Sequence, residues 1–261
     1  MPPEKTPLLV ERDGAIATLT FHRPESLNAI DVPMAQAFLQ AMQQLAADAT
    51  LRCLVLRGAG RGFMAGGDLA TLAADPVQGA ADLLGPLNQA VELLAQLNAP
   101  VIAQVHGAVA GAGLSLMLQA DFIYAAEGTR FNLAYINLGT SCDVGASWAL
   151  PRRVGLSRAL EIAMLGETLD CAEAARLGLV NKVLAAELLS AGVEQLAQRL
   201  ANGPTIALGH MRRLMRAGLE QDLPTQLQAE ALAFGACART QDIRDGIAAF
   251  QTRQNPVFQG R

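Results

Sequence analysis

The sequence predicts an α/β protein in which a mainly parallel sheet is covered by helices and continues into a helical C-terminal region. Three observations carry this expectation. The short runs at 53–56 and 101–105 are apolar on both faces, as strands buried inside a parallel sheet are. They alternate with amphipathic stretches of helical period, which is the order of βα units. After Leu156 strand signals nearly vanish and helical patterns follow one another, so the composition shifts near Gly155.

Taken in order, the apolar runs at 8–10 and 15–20 flank Arg12-Asp13-Gly14, and Asp-Gly between two such runs signals a hairpin. A polar loop with proline, residues 23–30, follows. Asp31 is placed to cap a helix and Pro33 to sit in its first turn, with Met34, Phe38, Met42 and Leu45 on one face. The strand at 53–56 feeds a small-residue turn, Phe63-Met64-Ala65-Gly66-Gly67-Asp68. Residues 82–97 read as the next helix, with Leu83, Leu87, Val91 and Leu94 at helical spacing and Asn98-Ala99-Pro100 as its stop. The strand at 101–105 then enters a second small-residue turn, Gly107 through Gly113, and a strand follows at 121–126. Helices are expected at 159–165, 172–177, 188–200, 205–217, 224–238 and 243–250.

Bulk properties exclude several functions. The chain has 261 residues, 51% of them hydrophobic, which suffices for a sizeable core. A net charge of -4 without basic clusters, and aromatics at only 4%, argue against a nucleic-acid surface. Residues 1–7 lack the pattern of a signal peptide, and the apolar stretch at 101–120 is broken by Gln104, His106 and Gln119. A soluble cytoplasmic protein without a membrane span is therefore expected. Cys53, Cys142, Cys171 and Cys237 show no CxxC or CxxH spacing, and His22, His106 and His210 are far apart, so neither a metal site nor a disulfide framework is expected.

The two small-residue turns hold the chemistry. Each follows an apolar strand, and the second opens a helix, so two backbone amides can converge on one oxygen where negative charge develops. A thioester carbonyl becoming an enolate is such an oxygen. The alternative is that both turns merely allow tight strand-to-helix packing. Neither has a GxGxxG or P-loop pattern.

These segments resemble the enoyl-CoA hydratase/isomerase (crotonase) superfamily over nearly the whole chain. The matching landmarks are Arg23-Pro24-Glu25-Ser26-Leu27-Asn28-Ala29, the turn at 63–69, the turn at 106–113, Leu150-Pro151-Arg152-Arg153-Val154-Gly155, the segment at 172–180, and Asp245-Gly246-Ile247-Ala248-Ala249-Phe250. The resemblance implies a crotonase-like spiral of ββα units over residues 1–195 and a helical C-terminal trimerisation region over 196–261. It also implies a homo-oligomer, either a trimer or a dimer of trimers, that acts on an acyl-CoA substrate. By position, the amides of Gly67 and Ala112 become the oxyanion donors, and Leu27, Ala29, Ala65, Asp68 and Leu69 line the path of the coenzyme A.

Departures from the family pattern narrow the reaction. Hydratases of the family carry two glutamates, and the matched positions here are Ser115 and Tyr135, neither of which suits acid-base work at neutral pH. Asp143 lies where enoyl-CoA isomerases of the family carry a single catalytic aspartate and a dehalogenase branch carries a nucleophile. Asp143 is alternatively an N-cap, since the chain from Val144 has helical character. The expected enzyme therefore shifts an enoyl-CoA double bond with Asp143 as acid and base, Ser115 and Tyr135 beside the substrate, and no metal or redox cofactor. The alternatives are a hydratase or acyl-CoA hydrolase using the same aspartate, and a non-catalytic acyl-CoA-binding homologue. His106 and Asp121 are expected to be structural. Tyr135 and Trp148 are read as acyl-pocket or core residues, and Arg152 and Arg153 as surface or subunit contacts.

Overall fold

A computed structural model describes residues 6–261; the first five residues, part of the segment read above for a signal peptide, lie outside it. Strands β1 (Leu8–Asp13) and β2 (Ile16–Phe21) form the expected antiparallel hairpin, and Asp13 pairs with Ile16 across a Gly14-Ala15 turn. Helix α1 (Val32–Ala47) starts where the sequence places it: the Asp31 carboxylate accepts from the Met34 amide at 2.9 Å. Its face of Met34, Phe38, Met42 and Leu45 is buried as expected.

Then come β3 (Cys53–Gly58), α2 (Leu69–Ala74), α3 (Pro76–Gln96), β4 (Val101–Val105), β5 (Ala108–Ala110), α4 (Ala112–Met117), β6 (Phe122–Ala126) and β7 (Arg130–Asn132). Helix α3 begins six residues before the expected start because Asp75 caps it through the amides of Val77 and Gln78, with Pro76 as its first residue. The six-residue α2, capped by Asp68, was not anticipated; it is too short to display a period.

The rest is α5 (Ala146–Val154), α6 (Leu156–Leu165), α7 (Cys171–Arg176), β8 (Lys182–Leu184), α8 (Leu189–Ala201), α9 (Thr205–Ala217), α10 (Leu223–Cys237) and α11 (Gln241–Thr252). Strand signals nearly vanish after Leu156, and the one strand found there, β8, is a three-residue edge strand whose length leaves no alternation to read. Helix α8 crosses the expected division at residue 195.

The main sheet has the order β1-β2-β3-β4-β6-β8, parallel throughout except for the first hairpin. Side chains leave β3 alternately to two cores. Leu54 and Leu56 join the large core with α1 and α3, while Cys53 and Val55 pack with Leu189, Val193 and Ala197 of α8. A second, smaller layer consists of β5 and β7, extended by single bridges from Met64 to Val109 and from Phe131 to Leu169. After the first hairpin, β3, β4 and β6 each enter the large sheet and the chain then passes to the small layer, at the Met64 bridge, β5 and β7 in turn, before it turns helical, which is the spiral of ββα units. Among the described residues no helix is long and apolar enough to cross a membrane.

Candidate active site

The two small-residue turns meet at the end of the small layer. The amides of Phe63 and Met64 donate to the carbonyls of His106 and Ala108, and the Ala110 amide donates back to Met64. This lays residues 63–67 beside β5. Gly66 has φ +111 and Gly111 φ +49 with ψ −125, backbone conformations that side-chain-bearing residues avoid. A Cβ at Gly66 would stand 3.5 Å from the Ala110 carbonyl oxygen and 3.8 Å from the Ala112 nitrogen. The amides of Gly67 and Ala112, which the sequence singles out, have no acceptor among the described residues, and both residues line one cavity.

The loop at 27–30 runs alongside. Ala65 donates to the Leu27 carbonyl, Ile30 to Gly66, and Asp68 to Ile30. Sequence reasoning missed Asn28 as the anchor of this arrangement. It is fully buried at φ +59, and its Nδ2 donates to the carbonyls of Ala59, Gly62 and Phe63. An asparagine inside a polar loop, suited to the left-handed conformation, was the available signal.

The cavity measures about 550 Å³. Its wall from α2 and α3 is apolar, with Leu69, Leu72, Leu83, Leu84 and Leu87, and Leu138 faces it from the other side. Ala65, Gly67, Ala112, Tyr135 and Asp143 also line it. Such a chamber suits an acyl chain, and the free amides suit its carbonyl oxygen.

Asp143 stands between a 3-10 turn at Tyr135–Leu138 and α5. Its side chain caps nothing: Gly145 is the N-cap of α5 and makes no side-chain cap bond. The chain is redirected there by Val144 at φ +51 and Gly145 at φ +76, the former an unusual conformation for a β-branched residue. The Tyr135 hydroxyl donates to Asp143 Oδ1 and lies 2.9 Å from Ser115 Oγ. Burial raises the Asp143 pKa above its ordinary 3.8, and the Tyr135 hydrogen bond opposes that rise. The Tyr135 phenol is pushed strongly upward, first by burial and then by the adjacent carboxylate, so it stays protonated and able to donate.

The remaining expected residues are distributed as follows. Ser115 does not touch the cavity; it is fully buried on α4, where its Oγ reaches the Gly111 carbonyl and Tyr135, because its helical position faces inward behind the tyrosine ring. Asp68 caps α2 and pairs with Arg23 at 2.9 Å. Leu27 and Ala29 flank the cavity segment through the loop pairing rather than lining the acyl chamber. His106 bonds the Gly60 carbonyl, and Asp121 is bound by Arg212, Arg216 and the Val101 amide, so both serve structure. Trp148 is neither pocket nor core: it is exposed, beneath Arg152 and bonded to Glu220. Arg153 points inward and donates to the carbonyls of Leu118 and Ala120, closing the C-terminal end of α4 within the same chain. Among the described residues no three His, Cys, Asp or Glu side chains come together to hold a metal.

A two-layer spiral with two amides, unpaired among the described residues, lining an apolar chamber has the makings of an enzyme site that receives a carbonyl oxygen. Comparison with known proteins makes this specific: the family described as enoyl-CoA hydratase/isomerase matches residues 11–261, and the chain belongs to it. The 1,2-epoxyphenylacetyl-CoA isomerase of Escherichia coli K12 is 37% identical over 258 residues, covering 97% of this chain and 98% of that protein. The 2,3-dehydroadipyl-CoA hydratase of the same organism is 33% identical over 254 residues, covering 97% and 99%. The crystal structure of an enoyl-CoA hydratase from Bacillus anthracis superposes with a TM-score of 0.93 at 28% identity, covering 98% of this chain and all of that one. The protein is thus an acyl-CoA enzyme of crotonase fold.

Proposed function

We propose that this protein isomerises the double bond of an enoyl-CoA, with Asp143 as the one acid-base group. The observation that carries this reading is that Asp143 is the sole charged side chain among the described residues lining the cavity. The positions matched to the hydratase glutamates, Ser115 and Tyr135, are instead bonded to one another. A 3-enoyl thioester loses an α proton to Asp143, and the C–H electron pair moves into the carbonyl to give a dienolate. The amides of Gly67 and Ala112 stabilise its oxygen. Asp143, whose acquired proton can exchange with solvent, then protonates the γ carbon, the double bond settles between the α and β carbons, and the carboxylate is regenerated. One acid-base group completes this cycle without a metal or redox cofactor.

The names of the relatives include both isomerase and hydratase, so hydration through Asp143 is the competing reading. The test uses a 3-enoyl-CoA in deuterated water. Isomerisation with deuterium entering the α or γ carbon, abolished in Asp143→Asn, supports the proposal. Net water addition to a 2-enoyl-CoA, or exchange that survives in Asp143→Asn, refutes it; tight binding without exchange would mark an acyl-CoA-binding protein instead.

Assembly into a trimer or a dimer of trimers belongs to the same proposal. Leu223, Leu227, Leu232 and Phe234 of α10 and Phe250 of α11 are exposed large apolar residues on the C-terminal helices, a surface suited to contact between copies.

A further inference from the structure

The geometry points to Tyr135, tethered by Ser115, as the residue that positions Asp143 and leaves its second carboxylate oxygen, Oδ2, alone to carry the proton. This inference rests on the reading of Asp143 as the base. Tyr135 is a positioning residue in it.

Oδ1 is occupied by the Tyr135 hydroxyl, whereas Oδ2 makes no hydrogen bond to any described residue and Asp143 lines the cavity. The phenol is itself fixed, being buried and 2.9 Å from Ser115 Oγ. Ser115 lies three residues after Ala112 on α4, so the helix that presents the oxyanion amide also holds the base. A second clamp comes from the same segment. Gln119, buried after the end of α4, donates to the Val144 carbonyl at 3.1 Å and so fixes the backbone next to Asp143. The distance between the enolate oxygen and the proton acceptor is therefore set by one rigid piece of chain, which near-attack geometry requires.

The surroundings leave Tyr135 as the local control on the carboxylate. Helices α2 and α3 offer only apolar side chains to the cavity, the turns at 65–67 and 111–112 offer backbone, α4 offers Ser115 behind the ring, and Cys142 is the remaining titratable neighbour. The hydrogen bond from Tyr135 favours the ionised carboxylate against the burial that disfavours it.

The experiment compares Tyr135→Phe, Ser115→Ala and Asp143→Asn with the unmodified protein. Each is measured for isomerisation of trans-3-hexenoyl-CoA against pH and for the ¹³C carboxyl titration of Asp143, the Asn variant identifying its resonance. Tyr135→Phe is expected to raise the titration midpoint and the acidic limb of kcat together by about one pH unit, with kcat reduced about ten- to hundred-fold and KM little changed. Ser115→Ala is expected to move both in the same direction by less, and it carries the test should the Phe variant fail to fold. An unmoved midpoint in both variants, or a loss confined to KM, overturns the positioning role while leaving Asp143 as the base. Full exchange in Asp143→Asn overturns the reading of Asp143 itself, and the inference falls with it.

Discussion

Gly113 packs directly onto the backbone of Met64: a Cβ at Gly113 would fall 2.4 Å from the Met64 carbonyl oxygen. The two small-residue turns that carry the amides of Gly67 and Ala112 are thereby held in backbone contact. Gly113→Ala is expected to destabilise the protein by about 1–3 kcal/mol, because backbone on both sides must shift. It should also reduce kcat by moving the Ala112 amide away from that of Gly67. Urea unfolding and turnover of a 3-enoyl-CoA measure the two effects.

Asp143 supplies a prediction about catalysis and one about stability. In the proposed role of general base it works only when ionised, so activity is expected to fall as pH drops through its folded pKa, which lies above 3.8. Asp143→Asn should lower kcat by about 10²–10⁴-fold. Stability has the opposite sign. A carboxyl whose pKa is raised on folding binds its proton more tightly when native, so its ionisation destabilises the fold as pH rises beyond 3.8. Asp143→Asn is therefore expected to be more stable than the parent at pH 7, with the difference vanishing below pH 3.8; thermal melts at both ends of this range check it.

Asp121 holds the helical region on the core. Arg212 Nε reaches its oxygens at 2.8 and 2.6 Å, while the other Arg212 nitrogens cap the carbonyls of Leu94 and Leu97 at the end of α3. Arg212 is buried, so Asp121→Ala leaves a guanidinium without its counter-charge in a poorly hydrated place. The expected cost is about 3–5 kcal/mol in urea unfolding. Replacing Asp121 and Arg212 together with apolar residues should cost less than the single change.

Asn28→Ala removes three donations to the carbonyls of Ala59, Gly62 and Phe63, leaving buried acceptors unsatisfied. A loss of about 2–3 kcal/mol follows, together with faster amide exchange in residues 59–67 and a raised KM for acyl-CoA.

The apolar surface of the C-terminal helices gives a prediction about assembly. Phe234→Glu with Phe250→Glu places charge on two exposed aromatics and is expected to convert an oligomer into monomer, read by light scattering after size exclusion. An unchanged mass would remove these helices from the interface.

Much of this architecture was legible because local chemistry announces it. Asp31 and Pro33 mark the start of α1, the glycines at 66 and 111 mark backbone turns that other residues resist, and the doubly apolar runs mark buried strands. The small-residue turns could be named because runs of glycine and alanine after a strand mark close backbone approach, which Gly113 against Met64 shows. What stayed hidden depends on distant partners. The bond from Ser115 to Tyr135 joins residues twenty apart through the pairing of β5 with β7, which no local pattern specifies. Strand β8 is three residues long, and Trp148 is an exposed aromatic whose partners, Arg152 and Glu220, include one from beyond α9.

The small layer has a final consequence. Met64, Val109 and Phe131 stand side by side as rungs across it. Three residues beyond the first two rungs come Gly67 and Ala112, and four beyond the third comes Tyr135, whose hydroxyl donates to Asp143. Successive coils of the chain therefore deliver an amide, an amide and a side-chain group to one cavity. The first two coils bring main chain and the third a side chain, so a side-chain substitution alters directly only what the third coil contributes.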